Sequence, residues 1–254
     1  MTGNSERSNP DTYDHIGLGY ASRRVPDPRI ARQIWNALGA ARRICNVGAG
    51  TGSYEPADRD VVAVEPARAM IAQRRQRRVI RAQAEALPFP DHSFDAATAI
   101  LTVHHWQNVT EGIRELKRIA PLRVVFTFDP ARQADLWLVR DYLPEVEQFE
   151  SKRAPGIEQL AGMLQDAEVS PVPIPWDCSD GFQGAYWRRP AAYLNPQVRA
   201  SISTLAMLPT SLVEAAMARL RRDLDSGAWA ERNAHLMERV ELDLGYRLIV
   251  SRSK

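Results

Sequence analysis

The sequence predicts an α/β fold, built on a doubly wound and mostly parallel sheet with helices on both faces. Between residues 28 and 128, apolar runs of strand length alternate with amphipathic segments of helix length. One of these runs, residues 44–47, leads into three glycines at alternate positions, Gly48, Gly50 and Gly52. Such alternation is typical of parallel sheets with right-handed crossovers, which bind ligands at the carboxyl ends of their strands.

Regular alternation stops after residue 130 and resumes only in a last apolar run at residues 246–250. The intervening segment is rich in aromatic residues and contains helical patterns, so it predicts a helical cap inserted before the last strand. Four segments are therefore expected. Residues 1–26 form a flexible N-terminal lid, 27–130 the ligand-binding core, 131–245 the cap with the sixth-strand region (residues 172–174), and 246–254 the closing strand.

Composition allows one large domain and demands no special partner. The chain has 254 residues, a formal net charge of +2 and 44% hydrophobic residues, so bulk charge favours neither nucleic acid nor a membrane surface. No apolar leader or membrane-length run is visible, which predicts a cytoplasmic protein. Cys45 and Cys178 lack the neighbours of a metal site, so we expect reduced thiols and no metal. The pattern makes no prediction about the oligomeric state.

Capping residues define the first helix. Asp27 is a favourable N-cap, Pro28 suits the first helical position, and Gly39 suits the position after the helix. The apolar positions of one face are Ile30, Ile34 and Leu38. This helix delivers the chain to the strand at residues 43–47 and to the glycine turn, where a backbone without side chains can approach a ligand closely.

The spacing of the glycines argues against a dinucleotide. A dinucleotide fingerprint has its third glycine three residues beyond the second, where this chain has Ser53. The second apolar run, residues 60–65, ends in Glu65, and an acid there can accept hydrogen bonds from both hydroxyls of a nucleotide ribose. A structural glycine turn and an ordinary helix N-terminal acid are the alternatives. The arginine-rich run at residues 74–81 is interpreted as an exposed helix end rather than a phosphate site.

Two further motifs follow in register. The string AEALPFPDHSFDAA occupies residues 84–97, and the apolar run after it ends in His104-His105-Trp106. Together with the glycine turn and Glu65, these motifs resemble the class I S-adenosylmethionine-dependent methyltransferases, and within them the methyltransferase type 11 group. The resemblance covers residues 11–130. It implies a Rossmann-like, seven-stranded sheet, S-adenosyl-L-methionine as cofactor, and a small-molecule methyl acceptor as the partner.

The resemblance also implies which residues contact the cofactor. They are Asn46, Gly48, Ala49, Gly50, Thr51, Gly52, Glu65, Pro66, Met70, Gln83, Ala84, Glu85 and Leu101. Two of them, Asn46 and Gln83, stand where the family usually has an acid. Their amide oxygens still accept hydrogen bonds, but without a full charge Asn46 should hold the ammonium group of the cofactor more weakly. In the predicted lid, Tyr13, Tyr20 and Arg23 are expected to close over the cofactor, as the N-terminal segment does in similar enzymes, with a disordered or oligomer-contacting arm as the alternative.

Catalysis is assigned to the histidines of the last motif, and acceptor binding to residues outside the motifs. Methyl transfer from a sulfonium needs a base only when the acceptor must lose a proton, and His104 or His105 could supply it; packing or a backbone hydrogen bond is the alternative. Acceptor binding is predicted for Tyr13 in the lid and for four cap residues whose aromatic rings and guanidinium groups suit a flat or carboxylate-bearing molecule. The cap residues are Tyr186, Trp187, Arg188 and Arg189, with cap packing and surface ion pairs as the alternative.

The predicted function is transfer of a methyl group from S-adenosylmethionine to an oxygen or nitrogen of a small molecule, with a carboxylate or an aromatic metabolite as candidate acceptors. Three alternatives stay open. The protein could bind the cofactor without catalysis, or use the bound sulfonium to assist a reaction other than methylation. A nicotinamide-dependent oxidoreductase is disfavoured by Ser53 at the position of the third glycine.

Overall fold

The computed structural model describes residues 23–75 and 78–253. Most of the predicted lid, including Tyr13 and Tyr20, lies outside these residues. The described strands are β1 (Arg43–Val47), β2 (Asp60–Val64), β3 (Val79–Ile80), β4 (Ala96–Ile100), β5 (Leu122–Phe128), β6 (Ala167–Pro171), β7 (Ile174–Pro175), β8 (Glu241–Leu242) and β9 (Tyr246–Arg252). Seven of them form one sheet in the order β3-β2-β1-β4-β5-β9-β6.

Strands β1 to β5 run parallel to one another, whereas β9 runs antiparallel between β5 and β6. The predicted fold is therefore confirmed as a seven-stranded, mostly parallel sheet with a cap inserted before the last strand. The described helices are α1 (Pro28–Leu38), α2 (Arg68–Ala72), α3 (Val109–Ile119), α4 (Glu145–Ser151), α5 (Ile157–Leu164), α6 (Pro196–Ala200), α7 (Ser203–Met207), α8 (Thr210–Asp225) and α9 (Ala228–Arg232).

Helix α1 forms where its capping residues predict. The Asp27 carboxylate accepts a hydrogen bond from the backbone N–H of Arg29, and Pro28 occupies the first turn. Gly39 ends the helix with a positive φ of 52°, a conformation that costs glycine little because it has no Cβ.

Each face of the sheet buries its own hydrophobic core. Alternate residues of a strand point to opposite faces, so Ile44 packs with α1 and the cap, while Cys45 packs with α3 and α5. Trp137 lies at the centre of the cap, where its indole N–H donates to the carbonyl of Trp187 at 2.7 Å. Its ring also meets Trp229 edge to face, with 5.1 Å between ring centroids.

Two features differ from the expected alternation. The sixth strand lies at residues 167–171, earlier than predicted, because the chain beyond Pro171 turns away and Ile174 pairs with Leu242 in a separate two-stranded sheet. The connection between β1 and β2, residues 48–59, contains turns but no helix. This connection contains Gly52 and Pro56, and both residue types disfavour the interior of a helix. The boundaries of the four predicted segments stay predictions.

The described residues include no helix that is both long and apolar enough to cross a bilayer.

Two glycines in helices predict opposite effects of the same substitution. In α5, a Cβ added to Gly162 would have no heavy atom within 4 Å, so Gly162→Ala should stabilise the protein by about 1 kcal/mol through helix propensity. In α3, a Cβ on Gly112 would lie 2.4 Å from Cε3 of Trp106. Gly112→Ala should therefore destabilise the fold by about 1 to 3 kcal/mol from overpacking. Urea unfolding of both variants tests the pair, and equal shifts would contradict it.

Candidate active site

The glycine turn follows β1 and requires its glycines for two different reasons. Gly48, Gly50 and Gly52 all have positive φ, with values of 67°, 52° and 93°. A Cβ on Gly48 would lie only 2.0 Å from Oγ1 of Thr102, and one on Gly52 would lie 3.0 Å from Oε2 of Glu55. At Gly48 and Gly52 the turn therefore combines left-handed backbone with close approach of neighbouring side chains, whereas at Gly50 only the backbone conformation favours glycine.

Glu65 ties the end of β2 to this turn. Its Oε2 accepts a hydrogen bond from the backbone N–H of Gly50 at 2.7 Å, and its Oε1 accepts one from Ala67 at 2.9 Å. The residue is only 6% exposed. An ionised carboxylate has about four lone-pair positions, so each of its oxygens can accept more than one hydrogen bond.

Arg74 lies beneath the glycine turn. The sequence predicts an exposed helix end here, but the Arg74 side chain is 2% exposed and its guanidinium donates to both oxygens of Glu55 at 2.7 Å. It also donates to the carbonyl of Gly50 at 3.1 Å. Since no helix connects β1 to β2, the Arg74–Glu55 ion pair occupies space under the turn and holds its backbone.

Asn46 is fixed by the same network. Its amide nitrogen donates to Oε1 of Glu55 at 2.9 Å, and its amide oxygen accepts a hydrogen bond from Oγ1 of Thr98 at 3.0 Å. The orientation of the amide is therefore determined by neighbours on both sides. The Asn46 amide contacts a carboxylate, that of Glu55, but the charge of Glu55 is balanced by Arg74.

Removing the Arg74 guanidinium should destabilise the protein strongly. Arg74→Met would leave the Glu55 carboxylate buried without its cationic partner, which costs about 3 to 5 kcal/mol in comparable sites. The exposed neighbour Arg75 provides a matched control, and Arg75→Met should change stability by no more than about 0.5 kcal/mol. Urea unfolding measures both. The double variant Arg74→Met/Glu55→Met should recover most of the loss, and no recovery would contradict the ion-pair explanation.

A cavity, here called the cofactor pocket, opens above the turn and encloses about 1020 Å³ of empty space, including its mouth. Most of the predicted cofactor contacts line it. They are Asn46, Gly48, Ala49, Gly50, Thr51, Glu65, Pro66, Met70, Gln83, Ala84, Glu85 and Leu101. Gly52 faces Glu55 and Arg74 instead, and the side chain of Arg23 turns to Gln197.

Several lining residues escape the sequence patterns. Thr102 and Trp106 flank the predicted histidines, and Ser53 and Tyr54 follow the glycine turn, so their proximity to motifs was the available signal. Arg24 lines the pocket rather than Arg23. Its guanidinium pairs with the buried Asp180 through Nε at 2.5 Å, and nothing in the sequence distinguishes the two adjacent arginines.

A second chamber adjoins the cofactor pocket, with about 470 Å³ of empty space including its mouth. Its walls come from the cap, from the end of β5 and from the histidine turn. The lining residues outside the shared wall are His104, Phe128, Gln133, Phe182, Gln183, Ser201, Ile202, Ser203, Thr204 and Tyr246. Three residues line both cavities, namely Arg24, Leu101 and His105. The two cavities therefore meet at these residues.

The predicted histidines lie at this junction. Their rings are 3.8 Å apart between centroids, and His104 also packs 4.9 Å from the ring of Phe128. Nδ1 of His105 lies 3.1 Å from Nη2 of Arg153. Burial lowers the pKa of His104 well below its ordinary value, with further contributions from the positive charges of Arg153 and Arg24. For His105 the pKa is lowered by burial, then by His104 and by the same two arginines.

The four predicted cap residues do not line either cavity. Trp187 is fully buried and donates its indole N–H to the carbonyl of Ile174 at 2.9 Å. Arg188 lies over the ring of Trp176, 5.0 Å from its centroid. The Arg189 guanidinium donates to the carbonyls of Cys178 and Ala185 at 2.6 and 2.8 Å and covers the ring of Tyr186. These contacts are those of cap packing, which is part of the alternative interpretation of this stretch, and acceptor binding by the four residues stays a prediction.

Within residues 23–75 and 78–253, no group of three or more histidine, cysteine or acidic residues is arranged to hold a metal ion.

The cofactor pocket fits S-adenosylmethionine in its donor and acceptor groups. Glu65 offers carboxylate oxygens suited to a ribose diol, Gln83 offers an amide suited to a base edge, and Met70 and Ala84 add apolar surface. The backbone of the glycine turn lines the pocket without side chains at Gly48 and Gly50.

Comparison with known proteins gives a consistent result. A family model described as a methyltransferase domain matches residues 45–121. Over the whole fold, the chain is similar to the crystal structure of a proposed methyltransferase from an antibiotic biosynthesis pathway of Anabaena variabilis. The two are 34% identical, the match covers 91% of this chain and 99% of that one, and the TM-score is 0.85.

Curated relatives match over shorter stretches. Malonyl-[acyl-carrier protein] O-methyltransferase of Halorhodospira halophila is 30% identical over 183 residues, which cover 64% of this chain and 59% of the relative. Demethylmenaquinone methyltransferase of Porphyromonas gingivalis is 32% identical over 114 residues, which cover 40% of this chain and 45% of the relative. The matches with curated relatives span between 37% and 59% of the length of those proteins.

Proposed function

The chain belongs to the class I S-adenosylmethionine-dependent methyltransferases, and from this premise we propose that it methylates an oxygen or nitrogen of a small molecule held in the second chamber. S-adenosyl-L-methionine is the cofactor, and it supplies the methyl group on a positively charged sulfur. The observation that carries the proposal is the junction at Arg24, Leu101 and His105, where the cofactor pocket meets the second chamber. A molecule in the second chamber would thus face the methyl donor.

The walls of the second chamber support a small acceptor. Aromatic rings of Phe128, Phe182 and Tyr246 line it together with hydroxyl and amide groups. Two curated relatives are named for methylation of demethylmenaquinone and of malonyl-[acyl-carrier protein] at oxygen. These names favour a metabolite or a carried acyl group over nucleic acid.

The proposed cofactor contacts follow the lining of the pocket. Glu65 accepts hydrogen bonds from the ribose hydroxyls, and Gln83 with the backbone of Ala84 meets the adenine. The glycine turn and Asn46 lie against the amino-acid end, where Arg24 replaces Arg23 as the nearby cation. Gly52 acts indirectly, by leaving room for the Arg74–Glu55 pair under the turn. Residues 1–26 remain the proposed lid.

Calorimetric titration with S-adenosylhomocysteine, S-adenosylmethionine and NAD tests the cofactor. We expect micromolar binding of the first two and no binding of NAD. Binding of NAD alone, or of none of the three, would contradict the proposal.

Filling the second chamber should separate cofactor binding from methyl transfer. Ser203 lines that chamber and not the cofactor pocket, so Ser203→Trp should leave the affinity for S-adenosylhomocysteine unchanged while blocking the acceptor. The readout is transfer of label from S-adenosyl[methyl-14C]methionine to a small-molecule extract, which should fall at least about tenfold. Ser226→Trp, at an exposed position after α8, is the control. Undiminished transfer by Ser203→Trp would remove the acceptor from this chamber.

A further inference from the structure

We infer that Arg153 is a positioning residue that fixes His105 as the tautomer protonated on Nε2, and that the acceptor beside it is an oxygen already carrying negative charge, as in a carboxylate. The inference rests on the proposed function, since it assigns roles at the junction of the cofactor pocket and the second chamber. It deepens that function by naming the chemical class of the acceptor.

The contact between Arg153 and His105 determines the tautomer. Nη2 of Arg153 lies 3.1 Å from Nδ1 of His105. A guanidinium has only hydrogen-bond donors, so Nδ1 must accept and the ring proton must lie on Nε2. A doubly protonated ring would place two N–H groups against each other, and a ring protonated on Nδ1 would do the same.

Helix α4 and its C-terminal turn hold Arg153 in place. The Arg153 side chain is only 3% exposed, and its guanidinium lies 4.8 Å from the ring centroid of Phe149. Glu150, which is fully buried, lies 3.7 Å from Nη1 and accepts a hydrogen bond from the hydroxyl of Thr204 at 2.5 Å. Thr204 itself lines the second chamber, so the chain of contacts runs from the chamber wall through Glu150 and Arg153 to His105.

Charged groups around the histidines favour an anion. Arg153 approaches from the end of α4, and Arg24 approaches from the segment before α1. Each arginine is paired with an acid, Arg153 with Glu150 and Arg24 with Asp180, but of these four residues only Arg24 lines the second chamber. His104 stacks on His105. The described residues that line the second chamber include no aspartate or glutamate. Burial and the two arginines keep the pKa values of both histidines low, so these rings stay neutral near pH 7.

Other classes of methyl acceptor need a group that takes up their proton, and the two histidines at this junction are poorly suited to do so. An amine arrives protonated and a phenol or alcohol must be deprotonated. The basic nitrogen of His105 is engaged by Arg153, and the low pKa of His104 opposes proton uptake. A carboxylate needs no base. Its oxygen forms a bond to the methyl carbon, the bond from that carbon to sulfur breaks, and the electron pair stays on sulfur. Anion and sulfonium give a neutral ester and a neutral thioether without proton transfer.

Nitrogen NMR of the histidine side chains tests the tautomer without any acceptor. In protein labelled with ¹⁵N-histidine and saturated with S-adenosylhomocysteine, His105 should show a bare Nδ1 and a protonated Nε2 from roughly pH 6 to 8. In Arg153→Met, both tautomers should appear, and protonation should move towards the ordinary pKa near about 6.5. Arg140→Met, which removes an exposed arginine paired with Asp141, should leave the His105 signals unchanged. A protonated Nδ1 in the unmodified protein at pH 7 would overturn the inference, whether or not the variants fold.

Chemical lability of the product tests the acceptor class. Label from S-adenosyl[methyl-³H]methionine should enter extract components that release volatile methanol in mild alkali, as methyl esters do. Arg153→Met should lower this transfer about tenfold, which is the loss expected when one hydrogen bond, here the one from Arg153 to His105, is removed. The affinity for S-adenosylhomocysteine should stay unchanged. Label confined to alkali-stable products would overturn the carboxylate assignment and leave the proposed function intact. Failure to bind S-adenosylhomocysteine would overturn the proposed function instead.

Discussion

Gly48→Ala is expected to destabilise the protein by about 3 kcal/mol. Left-handed backbone costs a residue with a Cβ about 1 to 2 kcal/mol, and Gly48 has a φ of 67°. The new Cβ would lie 2.0 Å from Oγ1 of Thr102, and overpacking of this kind adds about 1 to 3 kcal/mol. Urea unfolding of the protein without cofactor measures the sum, and the cofactor pocket should lose its shape because Gly48 and Thr102 both line it.

Gly50 supplies the matched control for this substitution. It has a similar positive φ of 52°, but a Cβ there would meet no heavy atom within 4 Å. Gly50→Ala should therefore cost only the backbone term, about 1 kcal/mol. Adding Thr102→Ala to Gly48→Ala should recover the steric part of the loss. Equal destabilisation by the two single substitutions would show that the contact with Thr102 has no effect.

Glu65→Ala should weaken binding of S-adenosylhomocysteine by about 2 kcal/mol, which is roughly 30-fold in the dissociation constant. Two effects add. On the proposed contact, the ribose hydroxyls would lose a charged acceptor, and the backbone N–H of Gly50 loses the bond at 2.7 Å that ties the glycine turn to β2. Calorimetric titration measures the affinity directly.

Two variants control for the Glu65 substitution. Glu65→Gln keeps one acceptor oxygen and loses the charge, so it should weaken binding by an intermediate amount, about tenfold. Glu168→Ala removes an exposed carboxylate from β6 and should leave the affinity unchanged. Full affinity in Glu65→Ala would exclude this carboxylate from the cofactor site.

Most of the sheet and much of the cofactor pocket could be predicted because their signals are local. Asp27 and Pro28 mark the start of α1, and residues 43–47 and 122–128 form β1 and β5 as their apolar runs indicate. The same holds for Glu65, which sits at the end of its own strand. Such positions can be predicted from short contiguous motifs, because they do not depend on contacts between distant parts of the chain.

Residues whose roles depend on tertiary contacts could not be predicted in this way. From the sequence, Arg74 is interpreted as a surface residue. In the structure no helix connects β1 and β2, and Arg74 occupies the space under the glycine turn. Arg24 and Arg23 are the same residue type in adjacent positions, and only the pairing with Asp180 selects one of them. Tryptophan is a residue type common in ligand-binding sites, but the burial of Trp187 against Ile174 depends on the tertiary packing of the cap.

Strand β9 is the last strand in the sequence, but it lies between β5 and β6 inside the sheet. It pairs Leu122 of β5 with Arg252 and Ala167 of β6 with Ser251, so both ladders join segments far apart in the sequence. High contact order of this kind slows folding, because the chain loses conformational entropy on closing the long loops before the contacts between the strands form. Until residues 246–252 have been synthesised, β5 and β6 present unpaired backbone edges that can recruit another chain. A nascent chain stalled within the cap should therefore be prone to aggregation and dependent on chaperones.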